Sequence, residues 1–274
     1  MILPDLHIHT PYCQHAKGTI EETVLKAIEK GFDEIGFTGH LPYPPGFVEP
    51  APDCVIPEHL YPDYLNEVKQ LQSKYRDRIR IDLAVEIDFL EEYADWSAEQ
   101  VQKHPYEYVI GSMHILKGVA LDYEENVLKI DLDKLGGVDG VWERYYNTME
   151  KMIESDLCRI VGHFDLPKKF SITQTRKDFS EHIVYLLELI RDKDMIVEIN
   201  TGGKDRSYPK EFYPSEAILK LARDRKVDIT LGSDAHAPED VGRYFPEAQE
   251  LARSLGWKWV ALFRNGRKEF LKIP

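Results

Sequence analysis

The chain has 274 residues, 43% hydrophobic and 30% charged, which is an ordinary globular composition and excludes collagen-like, disordered and low-complexity classes. Its net charge of −13 disfavours nucleic acid and anionic membranes as partners, and its apolar runs are shorter than the roughly 20 residues of a membrane span. Three cysteines without a CxxC spacing indicate a reducing compartment, so we expect a soluble cytoplasmic protein.

Strands and helices alternate along the predicted chain. The first helix has the clearest start, because Thr19 and Glu22 have capping-box spacing and Val24, Leu25 and Ile28 follow at helical spacing. The sequence predicts strands at 2–8, 33–38, 79–89, 108–116, 159–161, 195–199 and 227–231. It predicts further helices near 65–75, 142–153, 183–190, 218–222 and 248–255.

This alternation, without a GxGxxG or GxxxxGK[ST] loop, favours an α/β fold over a nucleotide-binding one. We predict about seven strand-helix units whose parallel strands close into a TIM-like barrel. Residues 1–274 are expected to form a single domain, because the sequence contains neither a linker nor an internal repeat. A loop at 41–57 contains six prolines, and we interpret it as a lid over a functional site.

Histidines and acids concentrate where the predicted strands end, which is where a barrel places its chemistry. A single histidine on a strand is more often a hydrogen-bonded residue than a ligand, but here separate segments deliver donors to the same end. The predicted metal ligands are His7, His9, His15, His40, Glu86, His114, His163, Asp234 and His236. Imidazole and carboxylate donors suit Zn²⁺, Mn²⁺ or Fe²⁺. Nine donor residues are more than a single ion can bind. We therefore predict two to three divalent metal ions that activate water for hydrolysis, most naturally at phosphorus.

A phosphate monoester needs positive charge beyond the metals. Arg206 follows the strand at 195–199 after the flexible pair Gly202 and Gly203, and Lys168 and Lys169 follow His163. We predict that these three basic residues bind the substrate phosphate.

The order of the motifs resembles the polymerase and histidinol phosphatase (PHP) superfamily, and most of all its histidinol-phosphatase branch. The resemblance covers nearly the whole chain. It rests on Asp5-Leu-His7-Ile-His9, Gly36-Phe-Thr-Gly39-His40, Glu86-Ile-Asp88, Gly111-Ser-Met-His114, Gly162-His163, Glu198-Ile-Asn200-Thr201 and Gly232-Ser-Asp234-Ala-His236. One departure is Gly39, which stands where many relatives have an acid.

The resemblance implies a distorted (β/α)7 barrel and three metal ions. One ion would be held by His7, His9, Glu86 and Asp234, a second by Glu86, His114 and His163, and a third by His15, His40 and His236. A hydroxide between the metals would attack the phosphoryl group of L-histidinol phosphate, which places the protein in histidine biosynthesis. Asp234 or His236 would handle the proton of the leaving alkoxide, so the predicted catalytic residues are Asp234, His236 and Glu86.

Two other functions stay open. A PHP phosphoesterase could act on nucleotides or nucleic-acid ends, although this chain carries no polymerase and its charge is unfavourable. The metals could instead be structural in a non-catalytic binding module, but structural zinc usually has a closed site with thiolate ligands. The sequence therefore favours a phosphatase that acts on a small phosphate monoester.

Overall fold

Parallel strands and surrounding helices make up the fold in a computed structural model that describes residues 2–274, with 126 and 127 described by their backbone alone. The strands are β1 (Asp5–Ile8), β2 (Glu34–Phe37), β3 (Arg80–Leu83), β4 (Val85–Asp88), β5 (Val109–Ser112), β6 (Ile115–Leu116), β7 (Val119–Ala120), β8 (Ile160–Val161), β9 (Ile196–Asn200), β10 (Asp228–Gly232), β11 (Trp259–Arg264) and β12 (Arg267–Lys272). The helices are α1 (Ile20–Glu29), α2 (Tyr61–Tyr75), α3 (Ala94–Gln102), α4 (Glu125–Asp131), α5 (Gly137–Glu154), α6 (Ser180–Asp192), α7 (Gly203–Arg206), α8 (Glu216–Asp224) and α9 (Phe245–Ser254). In this described part of the chain, none of the helices combines the length and the apolar character that a bilayer crossing needs.

The strands form two parallel sheets that meet at both edges. One sheet has the order β1–β2–β3, and the other has the order β10–β9–β8–β5–β4. At one junction, His40 beyond β2 pairs with Glu86 of β4, which follows β3 directly. At the other, Ile8 of β1 pairs with Ala235 beyond β10. The predicted α/β class with parallel strand pairing is confirmed.

The predicted strands and the first helix lie where the sequence places them. In α1 the Glu22 amide donates to Thr19 Oγ1 (3.1 Å) and the Thr19 amide donates to Glu22 Oε2 (2.7 Å), so the predicted capping box is present. The predicted strand at 79–89 is divided at Ala84 into β3 and β4. The predicted strand at 108–116 ends after Ser112, and the short hairpin of β6 and β7 follows it.

The unpredicted elements are α3, α4, α7, β7 and the antiparallel hairpin of β11 and β12. Helix α3 buries only Ser97 among its residues, so its sequence carries little helical periodicity. The hairpin packs Ala261, Leu262 and Phe263 into a small apolar cluster. The other members are Leu6, Ile110, Ile160 and Ile196 of the parallel strands, Ala84 between β3 and β4, and Tyr108. The hairpin therefore covers apolar side chains of the parallel sheets.

Gly36 of β2 lies against a buried tyrosine of that cluster. A Cβ atom at Gly36 would lie 1.7 Å from Tyr108 Oη, and the Tyr108 hydroxyl donates to the Leu6 carbonyl at 2.9 Å. We expect Gly36→Ala to lower the free energy of unfolding by about 2 to 3 kcal/mol, because the tyrosine or the strand must move. Urea denaturation measures this cost. In a Tyr108→Phe background the cost should be smaller, and equal costs in both backgrounds would contradict this contact.

Candidate metal centre

The predicted ligands come together around one cavity of about 690 Å³. The cavity is lined by eight of them, namely His9, His15, His40, Glu86, His114, His163, Asp234 and His236. The ninth, His7, is fully buried beside His9 and Glu86. Strand polarity explains this convergence, because His7 and Glu86 lie on β1 and β4 and the others lie beyond the carboxyl ends of parallel strands, with His15 in the segment that follows β1.

A first group of donor atoms surrounds Glu86 Oε2. His7 Nε2 and His9 Nε2 lie 3.2 and 3.3 Å from this oxygen and 3.2 Å from each other. Asp234 Oδ1 lies 3.2 Å from His9 Nε2 and 4.0 Å from His7 Nε2. Ligand atoms of a tetrahedral zinc ion lie about 3.3 Å apart, because each is about 2.0 Å from the metal. The spacing of these four residues therefore fits a divalent ion.

A second group faces the other oxygen of Glu86. His163 Nε2 lies 3.1 Å from Glu86 Oε1, and His114 Nε2 lies 3.8 Å from Glu86 Oε1 and 3.2 Å from His163 Nε2. The Ser112 hydroxyl donates to the same oxygen at 2.5 Å and fixes the carboxylate. Because its two oxygens face different groups of imidazoles, Glu86 has the geometry of a bridging ligand.

The remaining histidines lie next to the first group. The ring centroid of His236 lies 4.8 Å from that of His15 and 4.4 Å from that of His9. His15 Nδ1 donates to the carbonyls of Cys13 and Asp53 (2.6 and 3.0 Å), which leaves its Nε2 lone pair for a metal.

His40 adds a buried donor to this part of the cluster. Its Nδ1 has no hydrogen-bond partner among the residues that the structure describes, and it lies 3.4 Å from Glu86 Oε2. By donor-atom distance, His40 groups both with His9 and His15 and with Glu86 and His114. The three implied ligand sets are therefore in contact with one another rather than separate.

Burial and nearby carboxylates act in opposite directions on these imidazoles. The carboxylates outweigh burial at His7, whose pKa lies well above its usual value, and at His114, whose pKa is raised to about 10.

Burial prevails at three other histidines. It lowers the pKa of His9 to about 3, aided by His236, and it lowers the pKa of His40 and of His236 well below the usual value. These imidazoles are neutral at pH 7, so their lone pairs are free to bind a cation. Burial alone would raise the pKa of Asp234, but Arg206 and the nearby imidazoles outweigh it and hold that pKa well below its usual range.

Glu198 orients His7. The sequence predicted no role for Glu198, although this residue lies in one of the motifs that carry the family resemblance. His7 Nδ1 donates to Glu198 Oε1 at 2.6 Å, which turns His7 Nε2 toward Glu86. Gly232 makes room for this pair, since a Cβ atom there would lie 2.0 Å from Glu198 Oε1. The signal available in the sequence was an acid within an otherwise apolar predicted strand, at 195–199.

The three predicted phosphate-binding residues have different surroundings. Arg206 lines the cavity, but its Nη1 donates to Asp234 Oδ2 (2.5 Å) and its Nη2 to the Asp234 carbonyl (2.7 Å). Lys169 also lines the cavity and donates to the carbonyl and carboxylate of Asp122 (2.5 and 3.3 Å).

Lys168 does not fit its predicted role in substrate binding. Its buried ammonium group lies 2.9 Å from Asp165 Oδ2, 3.1 Å from Glu211 Oε1 and 2.6 Å from the Phe212 carbonyl. Three oxygen acceptors match the three protons of the ammonium group, so Lys168 holds two loops together.

Two further positions near the ligands are explained by packing. At Gly39, a Cβ atom would lie 2.7 Å from the side chain of Ile56 and 3.0 Å from that of Tyr64, so an acid at this position would require these side chains to move. Cys13 lies 3.8 Å from His9 Nδ1, but burial raises the pKa of its thiol to about 11. Cys13 is therefore a packed neutral thiol.

The proline-rich loop at 41–57 lines the cavity, as a lid would. Its lining residues are Tyr43, Pro50, Ala51, Pro52, Asp53 and Cys54. The Tyr43 hydroxyl donates to Asp88 Oδ2 (2.9 Å), and Asp88 Oδ1 accepts the His114 amide (2.8 Å). One carboxylate thus joins the loop to the backbone of a predicted ligand.

The fold and this cluster define an α/β protein with a histidine-rich centre suited to divalent metal ions. The model of the PHP domain matches residues 5–202, and the chain belongs to the PHP domain family.

Relatives within the family are similar over nearly their full length. The chain is 32% identical to the histidinol-phosphatase of Bacillus subtilis, covering 87% of this chain and 95% of the relative. It is also 32% identical to the probable histidinol-phosphatase of Deinococcus radiodurans, covering 97% of this chain and 98% of the relative. A crystal structure of histidinol phosphate phosphatase from Lactococcus lactis, complexed with zinc, L-histidinol and phosphate, has a TM-score of 0.81 at 22% identity and covers 97% of this chain and 98% of its own. This last likeness shows a shared fold.

We expect Glu198→Gln to weaken metal binding by about tenfold or more, because a neutral amide orients His7 less firmly and makes it a weaker ligand. Competition with a chromophoric chelator measures the affinity, and circular dichroism checks the fold. Glu247→Gln, at an exposed carboxylate of α9, is the matched control. A folded Glu198→Gln protein with wild-type metal affinity would show that His7 does not depend on this carboxylate.

Proposed function

We propose that this chain is a metal-dependent phosphomonoesterase that hydrolyses L-histidinol phosphate to L-histidinol and phosphate in histidine biosynthesis. The observation that carries the proposal is the Glu86 carboxylate, whose two oxygens face two groups of imidazoles in one cavity. The choice of substrate is supported by the Bacillus subtilis relative, which is a histidinol-phosphatase and aligns over most of both chains.

The donor set supports two to three divalent ions, which we infer to be zinc, manganese or iron. His7, His9, Glu86 and Asp234 would hold one ion, and Glu86, His114 and His163 a second. His15, His40 and His236 would hold a third. Ions bound there would supply an activated water and offset the negative charge of the phosphate oxygens.

Side chains of the cavity wall bind the phosphate and move protons. Arg206 and Lys169 place positive charge on the wall and attract the dianion. The proton of the attacking water would pass to Asp234 or His236 and from there to the leaving alkoxide. Asp234 is ionised, because Arg206 and the nearby imidazoles outweigh burial and lower its pKa, and its Oδ1 is also a proposed metal ligand. His236 Nδ1, 3.4 Å from that oxygen, is the second candidate for this proton.

We infer that the parallel strands close into a distorted (β/α)7 barrel and that residues 1–274 form one domain. The bridges from His40 to Glu86 and from Ile8 to Ala235 support closure, because they join the two sheets at both edges. We place the reaction in the cytoplasm, where the three free cysteines stay reduced.

Elemental analysis and a substrate panel on one preparation test this proposal. We expect more than one metal ion per chain, loss of activity with a chelator and recovery with Mn²⁺ or Zn²⁺. Phosphate release from L-histidinol phosphate should exceed release from nucleoside monophosphates and from short 5′-phosphorylated oligonucleotides. Equal turnover of the nucleotides would remove the biosynthetic assignment, and no turnover of any monoester would favour a binding module.

Substitution of the bridging carboxylate should remove more metal than substitution of one terminal ligand. We expect Glu86→Ala to lower activity more than about 100-fold and to lose more ions per chain than His114→Ala, because Glu86 faces two groups of donors. The control is Glu91→Ala, at an exposed glutamate paired with Lys151. Equal metal loss in the two ligand variants would be evidence against a bridging role.

A further inference from the structure

Arg243 lies beside the metal centre, on the segment between β10 and α9, and belongs to neither the predicted nor the proposed site. Its Nε donates to the Ser233 carbonyl at 3.1 Å, and its Nη2 donates to the Asp234 carbonyl at 3.1 Å. Its Nη1 lies 3.3 Å from Asp205 Oδ2 in α7. One guanidinium group therefore ties the end of β10 to α7, the short helix that also carries Arg206.

Asp234 has a backbone conformation that needs such support. Its φ of +52° lies in the left-handed region, which costs free energy for residues other than glycine, although aspartate tolerates it better than most. Its carbonyl accepts hydrogen bonds from two arginines, Arg206 at 2.7 Å and Arg243 at 3.1 Å. In this conformation Asp234 Oδ2 meets Arg206, and Oδ1 is left facing His9 at 3.2 Å.

The surroundings of Arg243 favour a positioning role over contact with substrate, although the residue borders the cavity. Its side chain is 14% exposed, and Asp240 adds a second carboxylate at 3.6 Å from Nη1. The backbone is fixed as well, because the Thr201 hydroxyl donates to the Arg243 carbonyl at 2.7 Å. Asp205 is held in turn by the Tyr244 hydroxyl at 2.7 Å.

We propose that Arg243 is a positioning residue, which holds Asp234 in its left-handed conformation and so directs Oδ1 into the metal centre, with Asp205 holding Arg243 in place. The kinetic part of this proposal rests on the proposed function. The metal-binding part does not, because it concerns only the geometry of one donor.

The test compares Arg243→Lys, Arg243→Met and Asp205→Asn with wild type. The control is Arg253→Met, at an exposed arginine of α9 that pairs with Glu250. Metal affinity is measured with Zn²⁺ or Mn²⁺ by chelator competition, and kcat and KM are measured with L-histidinol phosphate. Circular dichroism reports whether each variant folds.

We expect both Arg243 variants to bind metal about tenfold more weakly, with a lower kcat and a KM within a factor of three of wild type. Lysine keeps the charge but lacks the planar fork that reaches two carbonyls and a carboxylate together, so it should not rescue the site. Asp205→Asn should change metal affinity and kcat in the same direction, by less.

Wild-type metal affinity and kcat in Arg243→Lys would overturn the proposal. A raised KM with unchanged metal affinity would overturn it too, because it would identify Arg243 as a phosphate contact. If Arg243→Met does not fold, the Arg243→Lys and Asp205→Asn variants test the proposal by the same measurements. If the wild-type protein does not hydrolyse L-histidinol phosphate, the proposed function fails while the metal affinities still test Arg243.

Discussion

The structure of this centre depends on one electrostatic constraint: imidazole nitrogens with lone pairs approach one another closely around Glu86. His7 and His9 bring their Nε2 atoms within 3.2 Å of each other, and His114 and His163 do the same. Such contacts are repulsive between neutral imidazoles unless a proton or a metal ion lies between them. Nearby carboxylates outweigh burial and hold the pKa of His7 well above its usual value and that of His114 at about 10, so a proton is one occupant of these positions. A divalent cation is the other, and it relieves the repulsion in both pairs while the rings stay neutral ligands.

The fold fixes this arrangement through residues that lie behind the predicted ligands. Asp5 accepts hydrogen bonds from the Ser233 amide (2.9 Å) and the Gly242 amide (2.8 Å), so the start of the chain holds the turn that presents Asp234. Glu198 fixes His7 in the same way, and it fits only because position 232 has no side chain. The predicted ligands lie on or after separate strands. The side chains that hydrogen-bond to them lie on other strands, as Glu198 does for His7 and Ser112 does for Glu86. Orientation is therefore a property of the whole parallel arrangement and of no single motif.

The sequence predicted which side chains come together, but it did not predict the groups that support them. His7 and His9 could be recognised because a period of two places them on one strand face, and strand polarity directed the other segments to the same end. Glu198 lies 191 residues from His7, so their contact depends on strand order that local patterns do not contain. The phosphate-binding role predicted for Lys168 does not fit the structure for a related reason. Its acceptors Glu211 and Phe212 lie more than 40 residues further along the chain. The β11–β12 hairpin was missed because both faces of β11 are largely buried, which hides strand alternation.

Arg206 combines two roles: its charge predicts a contact with phosphate, and the structure shows a contact with Asp234. The predicted phosphate contact stays a prediction, and the structure adds that the guanidinium group already holds Asp234 through Nη1 and Nη2. A guanidinium group has five N–H donors, so these bonds leave others available on a side chain that is 26% exposed at the cavity. A phosphate that bound there would meet an arginine already oriented by a predicted metal ligand, and little side-chain entropy would be lost on binding. Asp234 would then link the two requirements of hydrolysis, because the carboxylate that faces the metal centre also fixes the cation that faces the substrate.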